Sequence, residues 1–425
     1  MRRRLLPFLP LLAACSPATT PDGLRIVRVQ PDLPLGAMMA APAGPSRLQQ
    51  ALAEAGDSTR IELAPGHYLL QASPYTDSTC GNCQELATLT TGTLGGRVSG
   101  RRVELVGTSR DSVIIHTGAG YGLLVEDCQE CLLSGVTVTG GVRDPDGQST
   151  NGAVVVRRAT ATIESCHLLG NIGDSAVVAS TIVGIAGVVG REGADFTLRN
   201  CIIERNSWDG VAMYRGAIAR IHDNVVDGVD KASGGRVGGG RGVGIGLTWD
   251  AQAEVTGNLV SRYWKGIGIF VDAQATVRDN VVEDILTWGI AYWGAGNGKA
   301  IGRIEENAVY QTGACGAMIA RDPGDGEPAG FFRANAVVMT GQNQRYDTGE
   351  PYCPQRPIAR AQVPAEFPIT GNLLLNNRQP GRTWPVEEEL SDSAFRARVA
   401  PLVQALGQRP ALRGSAFLAE FGLRP

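Results

Sequence analysis

The feature that constrains the fold most is a pattern that occurs twice in succession between Gly242 and Gly289. The second copy follows the first at an offset of 22 residues. The matching pairs are Gly244 with Gly266, Asp250 with Asp272, Gln252 with Gln274, Val255 with Val277 and Asn258 with Asn280. Short β-branched runs separated by Gly, Asp and Asn at such a period are typical of a solenoid in which each repeat forms one coil. The sequence therefore predicts an all-β solenoid.

A polar residue, usually asparagine, ends a strand-like run in coil after coil. These residues are Ser165, Asn200, Asn224, Asn258, Asn280, Asn307, Asn335 and Asn372. Their spacings of 22 to 37 residues fit a short coil that carries inserted loops. Asparagine tolerates the left-handed backbone of a sharp turn, and its amide can hydrogen-bond the asparagine of the next coil. We interpret these residues as scaffold rather than as catalytic groups.

Composition agrees with a solenoid and excludes one class of partner. Glycine accounts for 56 of the 425 residues, which suits a fold with many tight turns. The formal net charge of −3 leaves no electrostatic footprint for nucleic acid.

The N-terminus has the character of an export signal. Three arginines from Arg2 precede an apolar run that ends at Leu12, and small residues follow before Cys15. This arrangement resembles the lipobox of bacterial lipoproteins, which implies a signal peptide over residues 1–15, lipidation of Cys15 and a lipid anchor in the outer membrane or at the cell surface. An ordinary secretory signal is the alternative. We expect residues 16–45, rich in Pro, Ala and Thr, to be a flexible linker.

Eight further cysteines include two Cys-x-x-Cys pairs. They are Cys80, Cys83, Cys128, Cys131, Cys166, Cys201, Cys315 and Cys353. A zinc site and disulfides are both compatible with the pairs, and export favours disulfides. Cys166 and Cys201 follow the same repeat position, so we expect them to stack on adjacent coils.

The start of the repeats is similar to a known cap. A helix that Ser46 can cap, a strand from Thr59 to Leu63 and the run Pro65-Gly66-His67-Tyr68 occur in that order. This order resembles the N-terminal cap of the right-handed parallel β-helix (pectate-lyase-like) superfamily. The resemblance implies a β-helix with a helical N-terminal cap over residues 46–380.

The pattern changes beyond residue 380. From Pro385 to Leu406, apolar residues such as Phe395 and Val399 recur at helical spacing. We therefore expect residues 381–425 to form a helical C-terminal cap or tail that covers the last coil.

Strand alternation separates inside from outside around the duplicated stretch. It places a file of tiny residues on the outer face: Ala212, Gly246, Gly268 and Ala291. Candidate substrate-binding residues beside this file are Trp208, Tyr214, Arg215, Trp264, Phe270, Trp288 and Trp293. A flat floor walled by aromatic rings suits the stacking of a pyranose ring. The alternative is that the aromatic side chains pack beneath neighbouring loops.

Four ionisable residues near this floor are catalytic candidates: Lys265, Asp209, Asp250 and Asp272. Asp250 and Asp272 share a position on adjacent coils, so their carboxyl groups could lie about 5 Å apart, as in retaining glycoside hydrolysis. The alternative is that each caps a turn. Lys265 could abstract a proton next to a uronate carboxylate or bind an acidic sugar.

No cofactor is firmly predicted. Two loops, around Asp144 to Gly147 and Asp322 to Glu327, have carboxylates interleaved with glycine, which fits either a calcium site or an Asp-Gly turn. The glycine-rich segment near Gly234 lacks the features of a phosphate-binding loop.

Two functions are compatible with these observations. In the first, an envelope-anchored β-helix lipoprotein binds a polysaccharide along an aromatic-lined groove and cleaves it as a lyase or hydrolase. In the second, the chain is a non-catalytic structural or accessory protein of the periplasm or cell surface. The resemblance does not separate them, because the superfamily implied by the cap includes both.

Overall fold

The structure is a computed structural model. It describes residues 19–37, 44–79, 89–177, 183–229, 242–293, 298–322, 324, 329–344, 354–361, 367–380 and 386–422. Cys15, Cys80, Cys83 and Cys353 lie outside these residues, as do the predicted signal peptide and most of the glycine-rich segment.

The strands stack coil upon coil into three columns, so the predicted parallel β-helix is confirmed. Sheet 1 contains β4 (Ser73–Asp77), the first halves of β5 (Thr90–Gly107) and β7 (Tyr121–Ser134), β9 (Gly152–Arg157), β12 (Ala186–Arg191), β15 (Val211–Met213), β18 (Val243–Leu247), β21 (Lys265–Phe270), β24 (Ile290–Trp293), β27 (Ala317–Ala320) and β30 (Ile358–Ala361). Sheet 2 contains β1 (Arg25–Val29), β2 (Ser58–Leu63), the second halves of β5 and β7, β10 (Thr160–Glu164), β13 (Asp195–Arg199), β16 (Ile218–His222), β19 (Gln252–Thr256), β22 (Gln274–Arg278), β25 (Ile301–Glu305), β28 (Ala329–Arg333) and β31 (Ile369–Thr370). Sheet 3 contains β3 (Gly66–Leu69), β6 (Val113–His116), β8 (Thr137–Thr139), β11 (His167–Leu169), β14 (Ile202–Glu204), β17 (Val225–Asp227), β20 (Leu259–Ser261), β23 (Val281–Ile285), β26 (Ala308–Thr312), β29 (Ala336–Val338) and β32 (Leu373–Leu375).

The offset of 22 residues is the register between two adjacent coils. β19 pairs with β22 so that Gln252 lies beside Gln274 and Val255 beside Val277. The pairing is parallel throughout the three columns except for β4, which runs antiparallel to β5. Inward residues of all three sheets form one buried core that runs the length of the coils.

The asparagine ladder is confirmed, with a correction to its register. The side-chain amide of Asn258 donates to Oδ1 of Asn280 at 3.0 Å, and the same bond repeats from Asn224 to Asn372. The left-handed residue is the one before each asparagine, such as Asp223 and Asp279. Ser165 and Asn200 occupy that left-handed position in their coils. The ladder position itself is therefore filled there by cysteine.

The cysteines partly follow expectation. Cys166 and Cys201 stack as predicted, since the backbone N–H of Cys166 points to Sγ of Cys201 at 3.4 Å. The next ladder bond runs from the N–H of Cys201 to Oδ1 of Asn224 at 2.9 Å. Cys128 and Cys131 form a disulfide. Their pairing with each other removes this Cys-x-x-Cys motif from the zinc alternative.

The N-terminal region corrects one expectation. Helix α1 (Arg47–Ala53) begins after Ser46, whose hydroxyl accepts from the N–H of Gln49, and its Leu48 is buried in the core. The predicted linker, however, contains β1, which pairs in parallel with β2 and so extends sheet 2 by one strand. An exposed strand edge can accept a further chain segment by backbone hydrogen bonding, which composition alone does not reveal.

The C-terminal segment is helical as predicted, and it contacts the last coil, where the N–H of Leu390 donates to the carbonyl oxygen of Leu374 at 3.0 Å. Helices α2 (Asp392–Gly407) and α3 (Ala416–Phe421), with the 3-10 turn Pro410–Leu412 between them, pack on the outer face of sheet 3 from β20 to β32. Glu283 accepts from the N–H groups of Ala416 and Phe417 and so ties α3 to β23. Helix α2 begins at Asp392, later than the predicted start at Pro385. Among the described helices, none has the length and apolar character required to cross a membrane.

Candidate functional site

A cavity of about 280 Å³ opens on the outer face of sheet 1 at the duplicated stretch. It is lined by Trp208, Asp209, Tyr214, Gly242, Val243, Gly246, Leu247, Thr248, Trp264, Lys265, Phe270 and Trp293. The lining residues come from β18, β21 and β24, from the corners beside them and from the segments on either side of β15. Seven of the residues predicted to bind or act on a substrate therefore meet in one place.

The floor is in the predicted register but is not an open groove. Ala212, Gly246, Gly268 and Ala291 lie side by side across four coils. Of these four, only Gly246 lines the cavity. Ala212 and Ala291 are buried, and a side chain on Gly268 would lie 2.2 Å from the ring of Phe270. The aromatic side chains thus cover most of the floor that strand alternation predicted to be bare.

Five of the six predicted aromatic residues line the cavity, and the sixth supports it. Trp264 keeps 40 % of its surface exposed, so one ring is accessible to a ligand. Trp288 is buried and packs edge-on against Trp293 at 6.1 Å between ring centroids. Trp288 therefore agrees with the alternative interpretation, in which an aromatic side chain packs beneath neighbouring residues.

Arg215 was predicted to bind substrate, but it belongs to the wall behind the cavity. Its Nε donates to Glu192 at 2.6 Å, and its guanidinium lies 5.7 Å from the centre of the Trp249 ring. Trp249 in turn packs against Tyr214. Arg215 therefore positions an aromatic wall.

Lys265 is held by aromatic rings. Its Nζ lies 4.5 Å from the ring centre of Trp264, 4.5 Å from that of Trp288 and 5.3 Å from that of Phe270. Such cation–π contacts favour the charged ammonium. The cavity therefore contains a positive charge whose position is restricted by three rings.

Asp209 is the buried carboxylate of the cavity. The N–H of Val243 donates to its Oδ1 at 2.6 Å, and its Oδ2 has no hydrogen-bond partner among the described residues. Burial raises the pKa of Asp209 from 3.8 to about 7, although the Val243 N–H and the charge of Lys265 both act to lower it. A carboxyl group with this pKa exchanges protons near neutral pH, as a general base or acid requires.

Gly242 is a site residue that the sequence did not single out. A side chain there would lie 1.9 Å from Oδ1 of Asp209, so only glycine lets the backbone approach that carboxylate closely. Its neighbour Val243 then donates the N–H that orients Asp209. A glycine-rich segment signals many such positions, and nothing in the sequence marks this one.

The predicted carboxylate pair is in a different place and has a different role. Neither Asp250 nor Asp272 lines the cavity. Oδ1 of Asp272 accepts from the N–H of Asp250 at 2.7 Å, and Asp250 itself has a left-handed backbone. The carboxylate of Asp272 therefore accepts a backbone N–H from the adjacent coil, which is a structural contact. The pair is not placed for retaining hydrolysis at this cavity.

In the two loops considered for calcium, the described carboxylates bond within the protein, while Asp325 and Glu327 lie outside the described residues. Asp144 accepts from the hydroxyl of Thr93 at 2.7 Å and from the amide of Asn151 at 2.7 Å, and Asp146 accepts from the N–H of Thr91. Asp322 accepts from Nε1 of Trp293 at 3.1 Å. Within the described ranges, no group of three or more His, Cys, Asp or Glu side chains is arranged around a metal position.

A second set of buried charges lies on the same sheet face, at β4 to β12. Asp77 accepts from Arg191 at 2.6 Å and from the hydroxyl of Tyr121 at 2.9 Å, and it also pairs with Arg157. Arg157 further donates to Glu126 at 2.8 Å. Burial opposes ionisation, but the two arginines hold the pKa of Asp77 below its ordinary value. We call this set the Asp77 network.

Comparison with known proteins establishes the family. The profile of the right-handed beta helix region matches residues 103–324, which is just over half of the chain. The chain therefore belongs to the right-handed β-helix family. No curated protein sequence matches it significantly.

Solved structures share this fold at low sequence identity. The Dettilon tailspike protein is 14 % identical with a TM-score of 0.50, covering 82 % of this chain and 61 % of the tailspike chain. The catalytic unit of an α-1,3-glucanase from Streptomyces thermodiastaticus is 13 % identical with a TM-score of 0.42, covering 83 % and 73 % of the two chains. Pectate lyase Pel9A is 15 % identical with a TM-score of 0.33, covering 70 % and 77 %. The chain thus spans less than two thirds of the tailspike's length, and at these identities the likeness concerns the fold.

Proposed function

We propose that this protein binds an acidic polysaccharide in the cavity and cleaves it by proton transfer. The observation that carries the proposal is the buried Asp209 beside Lys265 in a cavity lined by aromatic rings, of which that of Trp264 is exposed. Aromatic rings stack on the apolar faces of sugar rings, and a fixed ammonium pairs with a sugar carboxylate. These groups together suit a uronate-containing glycan.

The chemistry follows from the two ionisable groups. Lys265 neutralises the sugar carboxylate, which makes the hydrogen on the adjacent carbon more acidic. Asp209 as carboxylate removes that proton, and the electron pair forms a carbon–carbon double bond while the bond to the leaving sugar oxygen breaks. The protonated Asp209 then gives the proton to the leaving oxygen. The products are an unsaturated sugar and a new chain end.

A lyase is favoured over a hydrolase by the lining of the cavity. Hydrolysis of glycosides ordinarily uses two carboxyl groups that flank the bond. Among the described lining residues, Asp209 is the one carboxylate, because Asp250 and Asp272 lie elsewhere. One acid–base group with one cation suits elimination next to a carboxylate.

The test is turnover of uronate-containing glycans, followed by the absorbance of unsaturated products. We expect activity to rise with pH through about 7, because Asp209 must be deprotonated to act as the base. Asp195→Asn is a matched control, since Asp195 is partly exposed and pairs with Arg220. Binding without turnover in any glycan would favour the non-catalytic alternative, and no binding across a broad panel would reject the proposal.

We further propose that Cys15 anchors the protein to the cell envelope through a lipid. The support is the basic, apolar and small-residue pattern that precedes Cys15. Labelling of cells with a radioactive fatty acid should mark the wild type and not Cys15→Ala. Equal labelling of both would exclude the anchor.

A further inference from the structure

The cavity is short in the direction in which the coils stack. The file of floor residues continues past it on both sides, from Val189 to Met318, and these flanking residues are buried. A linear polymer that lay across several coils would need that file to be accessible. The obstruction has identifiable causes at each end.

On the β15 side of the cavity, the side chain of Tyr214 covers the floor. It packs against the apolar cluster on the outer face of sheet 1 that contains Ala212 and Val189. Trp249 stacks beside it with ring centroids 5.5 Å apart, and Arg215 stacks on Trp249 while bonding Glu192. Tyr214 is therefore held in place from behind and cannot swing aside without breaking these contacts.

On the β24 side of the cavity, the side chains of Phe270 and Trp293 cover the floor. The ring of Phe270 lies over Gly268, where a side chain would meet it at 2.2 Å. Trp293 is fixed by its bond to Asp322 and by its edge contact with Trp288, and both tryptophans join the cluster that buries Ala291 and Met318. The part of the floor that borders the cavity is thus confined to one coil, at Gly246.

We infer that the cavity takes the end of a glycan chain, in which one terminal sugar lies over Gly246 between Tyr214 and Phe270. This inference rests on the proposed function and specifies its substrate. The walls leave no path for the polymer to continue along the sheet in both directions. The enzyme would then release small products from chain ends instead of cutting at internal positions.

The first experiment uses oligouronates of defined length. One oligomer is uncapped, two carry a bulky group on one end or the other, and a fourth carries bulky groups on both ends. We expect wild-type protein to bind the uncapped oligomers and to lose affinity at least tenfold when one particular end is capped. Equal binding of uncapped and doubly capped oligomers would overturn the inference and leave the proposed function intact. Failure to bind any of the oligomers would contradict the proposed function itself.

The second experiment follows polymer degradation by viscosity and by product size. The wild type should release small unsaturated products while viscosity falls slowly. Phe270→Ala should uncover Gly268 and make viscosity fall faster for each bond cleaved. Phe331→Ala is the matched control, because Phe331 is a partly buried aromatic residue on sheet 2. A rapid viscosity loss with wild-type protein would overturn the inference, and this measurement does not depend on how well the variant folds.

Discussion

Two buried aspartates on the outer face of sheet 1 have opposite environments. Asp77 is surrounded by two arginines and the Tyr121 hydroxyl, and its pKa is lowered. Asp209 has one backbone N–H and the nearby charge of Lys265, and its pKa is raised to about 7. The two residues are similarly inaccessible to solvent, so burial alone does not distinguish them.

The difference shows how the same fold separates scaffold from site. A buried carboxylate that is fully paired holds elements together, as the Asp77 network holds β4 and β7 against β9 and β12. A buried carboxylate that is incompletely paired next to a cavity stores unfavourable energy that a reaction can use. Substitutions at the two aspartates and at Trp264 test whether this contrast is correct.

The largest effect is expected for Asp209→Asn on turnover. Loss of the acid–base group should lower kcat by about 10²- to 10⁴-fold, because asparagine cannot transfer the proton. The amide is isosteric and can still accept the Val243 N–H, so glycan binding should persist. Steady-state kinetics and a binding titration check this, and an unchanged kcat would remove Asp209 from the mechanism.

Asp77→Ala should mainly affect folding. Removing it leaves Arg191 and Arg157 buried without their shared partner, and breaking such a buried pair lowers stability by about 3–5 kcal/mol. Urea denaturation of the variant beside wild type provides the measurement. A loss below about 1 kcal/mol would show that the Asp77 network does not stabilise the scaffold.

Asp209→Asn should stabilise the folded protein at pH 8. Because the folded pKa is raised from 3.8 to about 7, ionisation of Asp209 lowers stability as pH rises between these values, by up to about 4 kcal/mol. The variant lacks this penalty, so its advantage should grow from pH 4 to pH 7 and then level off. Thermal unfolding across this range checks it. A constant difference between variant and wild type would contradict the raised pKa.

The smallest effect is expected for Trp264→Ala. Its ring is partly exposed, so the loss should appear in glycan affinity rather than in folding, at about 0.5–1.5 kcal/mol for a lost stacking contact. Isothermal titration beside the Phe331→Ala control provides the comparison. If both variants bind as the wild type does, Trp264 is not part of the binding surface.

Much of the fold could be predicted because each coil repeats local patterns. The offset between Asn258 and Asn280 correctly predicted adjacent coils, and strand alternation correctly aligned Gly246 with Gly268. The ladder register was wrong by one residue at Ser165 and Asn200, because polarity does not show which residue of a corner has the left-handed backbone. The C-terminal helices were predicted, whereas their position on sheet 3 was not.

The candidate site was only partly predictable. Asp209 and Lys265 were found because they flank the repeated glycine file, and Asp250 and Asp272 were included because they repeat exactly. The repeated Asp272 accepts a backbone N–H from the adjacent coil, whereas Lys265, which does not repeat, lines the cavity. The Asp77 network joins residues more than a hundred positions apart, as Asp77 with Arg191 does, and no local pattern connects them.

The sequence by itself determined the coil period, the inward and outward faces of the strands and the aromatic character beside Gly246. These properties depend on residue type and spacing within a few coils. The tertiary structure alone decided that Phe270 and Tyr214 shorten the groove to a pocket and that Asp209 is incompletely paired. Those outcomes depend on side-chain directions and on which distant groups come to lie together, and a linear pattern does not contain that information.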